Sequence, residues 1–175
     1  MNIRTMLLAG TVALSLSACG DGGGTSTDVL APGTYKLTFS AISTARLPAA
    51  ISGVDVAVKF PVGLSVSTIS GGTGQIVSAS ITPGSAIQTT SLVYGNYSAS
   101  TRTAYLSMAT TQVSYRSGQF MNLLFTVASG TSVTKNDIFL LNATYPKYKV
   151  VGFDEVTHST VTMSGTVKTM LGVTP

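Results

Sequence analysis

The chain has 175 residues, 44% of them apolar and only 9% charged, with ten Lys and Arg against six Asp and Glu. That apolar content excludes disorder, and basic residues that form no run and do not interleave with stacking aromatics argue against nucleic-acid binding. One Cys and one His leave no disulfide within the chain and too few ligands for a structural zinc site.

Residues 1–18 place a short apolar run behind Arg4. The run is too short for a permanent bilayer-spanning helix, so it reads as a removable export signal. It ends in Leu16-Ser17-Ala18-Cys19, which resembles the lipobox of bacterial lipoproteins. The resemblance implies cleavage before Cys19, a lipid on its sulfur, and a mature N-terminus at that residue. A plain secretory signal that happens to contain a Cys is the weaker alternative, because the only thiol sits where lipidation needs it. Gly20 follows the Cys where an inner-membrane retention signal would place Asp, so the resemblance implies the outer membrane. Residues 19–28 then form a Gly/Ser/Thr tether that behaves as a flexible coil. One domain is expected over residues 29–175.

Within that domain the dominant pattern has period two, the signature of strands with one buried face. Tyr35, Leu37 and Phe39 alternate with Lys36, Thr38 and Ser40, and Val54, Val56, Val58 and Phe60 alternate with Asp55, Ala57 and Lys59. Around residues 119–128, Phe120 and Leu124 face away from Met121, Leu123, Phe125 and Val127, which predicts a central strand covered on both sides. Ile138-Phe139-Leu140-Leu141 predicts a similar one. Val161, Met163 and Val167 oppose Thr162, Ser164, Thr166 and Lys168 in a last run. Turn signals fall at Gly71-Gly72-Thr73-Gly74, Pro83-Gly84, Gly95-Asn96, Ser117-Gly118, Ser129-Gly130 and Gly152. Turns about ten residues apart with no helical stripe over three turns predict an all-β sandwich or barrel of eight to ten strands. Its core should include Val56, Val58, Leu123, Phe125, Val127 and Ile138.

Three stretches carry a family resemblance. Residues 51–61, Ile-Ser-Gly-Val-Asp-Val-Ala-Val-Lys-Phe-Pro, with Leu64 beyond, resemble the early segment of cohesin domains. Residues 118–127 are similar to the cohesin strand of the form Gly-x-Leu-x-x-Leu-x-Phe-x-Val, and 137–167 resemble the closing strands in order and length. One departure stands out: Phe60 occupies the position before Pro61 where the pattern has Asp. The resemblance implies the jelly-roll sandwich of the cohesin and carbohydrate-binding superfamily more than it implies dockerin recognition.

The residues of catalysis are sparse. His158 is the only histidine, and no Gly-x-Ser-x-Gly elbow accompanies it. Ser132-Val133-Thr134-Lys135 matches the Ser-x-x-Lys of penicillin-recognising enzymes, yet its companion elements are out of order or incomplete. Asp154 and Glu155 are neighbours, and neighbours on a strand point to opposite faces, so they cannot flank one glycosidic bond. Asp137 or Asp154 could hold a weak calcium but reads as an ordinary turn acid. There is no Trp, and the seven Tyr are the aromatics left for stacking. Tyr145, Lys147, Tyr148 and Lys149 form the candidate contact surface, although Tyr also suits half-exposed positions on an edge strand. The expected function is a lipid-anchored, non-catalytic cell-envelope module that binds a protein partner through a sheet face or edge. The alternative is a carbohydrate-binding module for envelope or extracellular glycans. No cofactor and no metal are expected.

Overall fold

Alternating apolar residues on a pleated chain place one face toward a core and one toward water, and two such sheets close on each other. The computed structural model describes residues 28–43, 45–143 and 147–175. The segment expected to be an export signal, Cys19, most of the expected tether and Tyr145 lie outside the described residues. Ten strands follow one another: β1 (Gly33–Ser43), β2 (Ala50–Lys59), β3 (Leu64–Ser65), β4 (Ile81–Pro83), β5 (Leu92–Ser98), β6 (Thr103–Ala109), β7 (Gly118–Val127), β8 (Lys147–Asp154), β9 (Ser159–Thr162) and β10 (Val167–Thr174). A short helix, α1 (Lys135–Leu141), separates β7 from β8.

The strands form two antiparallel sheets. One runs β10-β1-β7-β3, with β4 also paired to β7; the other runs β5-β6-β2-β8-β9. This is an all-β sandwich, as expected. Leu37, Phe39 and Ala41 of β1 point inward against Val54, Val56 and Val58 of β2, all within one core cluster. Phe60, just past β2, ties the two layers together with its ring 5.6 Å from that of Phe125 on β7, and it lies 6.1 Å from Tyr97; within one sheet Phe39 lies 6.2 Å from Phe120. The six core residues expected from the pattern are all buried.

Several local expectations are corrected. Ile138-Phe139-Leu140-Leu141 is helix, not a buried strand. The Thr134 hydroxyl accepts from the Asp137 N–H at 3.0 Å, and the Asp137 carboxylate accepts from the Thr134 N–H at 2.8 Å. This reciprocal cap satisfies two of the amides that a helix start leaves unpaired. A run of four apolar residues fits either element by periodicity, and the cap decides. The first residues of the 137–167 stretch, 137–141, are thus helix and its strands begin at Lys147.

Strand β7 is central but covered on one face only. Met121, Leu123, Phe125 and Val127 are buried, while Asn122 and Leu124 on the other face are half-buried and Thr126 is exposed. Phe120 enters the core by a different route from the one predicted. Phe39 faces Met121 and Ser40 faces Gln119, so Phe120 is the extra residue of a bulge. The bulge turns its ring onto Phe39.

The last alternating run is not one strand. Residues 163–166 form a turn in which the Val167 N–H donates to Met163 O at 3.0 Å. That turn carries the chain from β9, on the edge of one sheet, to β10, on the edge of the other. Gly95 and Gly152 are not turn residues but sit inside β5 and β8. A Cβ at Gly95 would lie 2.6 Å from Tyr105 O, and one at Gly152 would lie 2.4 Å from Ala50 O, so close backbone approach explains both.

Candidate functional site

Strands β5, β6, β2 and β8 bury one set of side chains and turn the other set outward in register. Two rungs cross the middle of that outer face. One runs Asn96, Tyr105, Ala57, Lys147; the other runs Tyr94, Ser107, Asp55, Lys149. Together they line a shallow groove of about 340 Å³. Tyr94 is 52% exposed and Tyr105 56%. They are diagonal neighbours on adjacent strands, a relation that places residues about 7–8 Å apart, within reach of a shared ligand. The Ser107 hydroxyl donates to the Asp55 carboxylate at 2.7 Å, which fixes that acid in the groove floor. Lys147 and Lys149 are exposed along the β8 side.

This arrangement redistributes the residues singled out in the sequence. Lys147 and Lys149 reach the outer face. Tyr148 lies between them on the opposite side of the strand, opposite Val56, and packs half-buried against the core. Tyr148 therefore does not share the outer face with Lys147 and Lys149, whereas Tyr94 and Tyr105 do. Tyr97, three residues beyond Tyr94 and so on the opposite face, is buried, its hydroxyl donating to Leu64 O at 3.4 Å. Burial pushes the Tyr97 phenol pKa up, and the nearby Arg102 charge opposes that shift. Tyr105 was legible in Ala104-Tyr105-Leu106-Ser107-Met108, where Tyr and Ser oppose three apolar residues.

A second depression, of about 770 Å³, opens at the end of the sandwich where β8 stops. Gln112, Arg116 and Glu155 line it beside the exposed apolar side chains of Val113, Phe153 and Val156. Its other acid, Asp154, accepts from the Val156 N–H at 2.9 Å and from the Thr157 N–H at 3.4 Å. Those hydrogen bonds, the one from Val156 foremost, hold its carboxyl below the usual carboxylate range. Asp154 thus shapes the β8–β9 turn. His158 occupies the same turn at φ 49°, its ring 6.5 Å from that of Phe153. Ser132 is exposed in the loop before α1, and Lys135 pairs with Asp28 at 3.8 Å. Asp137 is the helix cap, its carboxyl held low by the Thr134 hydrogen bonds. Among the described residues no three His, Cys, Asp or Glu side chains group as metal ligands. No family model matches this chain, and neither a curated protein nor a solved structure does.

Proposed function

We propose that this chain is a lipid-anchored, non-catalytic binding module of the cell envelope that holds a protein partner on the outer face of the β5-β6-β2-β8-β9 sheet. The observation that carries the reading is the exposure of Tyr94 and Tyr105 side by side, flanked by exposed Leu92 and rimmed by Lys147 and Lys149. Aromatic anchors inside a polar rim are the usual composition of a protein-binding patch, and the two lysines favour an acidic partner. The lipobox-like Leu16-Ser17-Ala18-Cys19 and the following Gly20 support attachment at the outer membrane.

The test is capture from envelope extract by the wild type and by a Tyr94→Ala/Tyr105→Ala variant. Loss of two anchor rings should weaken a specific partner at least about tenfold, with the melting temperature little changed because both rings are half exposed. A partner retained equally by both forms would remove the contact from this face. His158→Ala and Ser132→Ala should bind as the wild type does.

A glycan is the second reading, favoured by the groove itself. Two diagonal Tyr rings offer stacking surface, and Asp55, Ser107 and Asn96 offer hydrogen-bonding groups beside them. A glycan array in which binding depends on Tyr94 and Tyr105 would select it over the protein partner.

A further inference from the structure

Helix α1 exposes a hydrophobic surface that the ligand-binding face does not use. Of its seven residues only Ile138 is buried, while Phe139, Leu140 and Leu141 are 38%, 64% and 36% exposed. Apolar side chains this large on a two-turn helix are out of place against water. The helix is also held rigidly. Its start is capped by Thr134 and Asp137, and its end is fixed by Asn142, whose side chain bonds both the N–H and the C=O of Lys59 at 2.8 Å.

The position of this surface identifies what covers it. Asp28, where the tether meets the domain, pairs with Lys135 in the first turn of α1, and Val29 bridges to Thr134. A seven-residue helix is about 10 Å long, so Leu140 and Leu141 lie roughly that far from the tether's end. Asp28 lies nine positions beyond Cys19. A Gly-rich coil of that length has an r.m.s. span of about 17 Å and reaches roughly 30 Å at full extension. A lipid on Cys19 would therefore hold this end of the sandwich within reach of the bilayer. Two basic residues flank the helix: Lys135 in its first turn, paired with Asp28, and Lys59, whose backbone Asn142 holds at its end. Basic residues beside an apolar helical surface suit the headgroup region of an anionic leaflet.

We infer that Phe139, Leu140 and Leu141 insert into the membrane surface as a second anchor, which orients the sandwich upright with α1 in the leaflet. The inference rests on lipidation of Cys19 for its proximity, and the test separates the two. In the acylated protein Leu140→Cys is the only free thiol, and it takes an environment-sensitive fluorophore. Thr160→Cys, exposed on β9 near the opposite end, serves as the control. On vesicles of phosphatidylethanolamine and phosphatidylglycerol carrying chain-labelled quencher lipids, the label at 140 should be quenched several-fold more than the label at 160. A Phe139→Ser variant should lessen the quenching. Equal quenching at the two positions overturns the inference, as does self-quenching that rises with protein density and places a second copy over the helix. If Cys19 reacts with the label, the lipid anchor fails. The same measurement in the Cys19→Ser background then decides the helix alone.

Discussion

Asn142 joins the helix to a sheet through three side-chain hydrogen bonds: to Lys59 O, from the Lys59 N–H and to Ile138 O, each 2.8 Å. It is 4% exposed. Asn142→Ala would strand both backbone groups of Lys59 away from water, and an unpaired buried polar group costs about 1–3 kcal/mol. A lower denaturant midpoint at unchanged slope would register this; an unchanged midpoint would show that water replaces the amide. Thr134→Ala removes the helix cap and should cost about 1 kcal/mol. It also tests a pH effect. The folded Asp137 carboxyl titrates below its unfolded value because Thr134 hydrogen-bonds the charged form. The resulting stabilisation is present above about pH 4, the unfolded carboxylate range, and is lost as pH falls through the folded value. Acid unfolding should therefore begin at a higher pH in the wild type than carboxyl-independent loss would give, and Thr134→Ala should flatten that acid-side slope. An identical pH profile in both proteins would rule the cap out as its source.

Among the strands, β7 bears the most partners, pairing with β1, β3 and β4. Its Phe125 is 1% exposed and packs against both Tyr35 and Phe60. Phe125→Ala should cost about 3–5 kcal/mol through lost burial and the cavity left behind. Against the usual 5–15 kcal/mol of a domain, thermal melting should fall by many degrees; an unchanged melting curve would be incompatible with this packing. Strands β1 and β2 were readable because most of their outward positions are Lys, Ser, Thr or Asp while their inward positions are mostly large and apolar; in β7 the outward Leu124 made a one-sided strand read as covered on both faces. Helix α1 was not readable from four apolar residues in a row. The Thr134-x-x-Asp137 pair that starts it was visible but competes with many similar Thr and Ser spacings in this chain. The break between β9 and β10 was equally hidden, since Met163 and Val167 keep a period-two phase across the turn and are both buried.

Across the whole molecule the two ends differ. The tether junction, α1 and Lys59 occupy one end, while the 770 Å³ depression with Arg116 and Glu155 opens at the other. A domain anchored at the first end presents its depression away from the bilayer and its Tyr94–Tyr105 face sideways. Cys19→Ser should abolish lipid labelling and leave unprocessed precursor; a mature wild-type protein recovered soluble and unlipidated would sink the anchor. The sequence alone determined the all-β class, the six core positions and the sparseness of catalytic groups, because each depends on composition or on alternation along a single strand. Which Tyr residues share a face was decided only by the tertiary structure. Tyr94 and Tyr105 are brought together by the β5–β6 register, and Tyr148 is turned inward by its pairing with Val56. Strand parity tells which residues point the same way, but only the pairing of strands distant in the chain tells which of them meet.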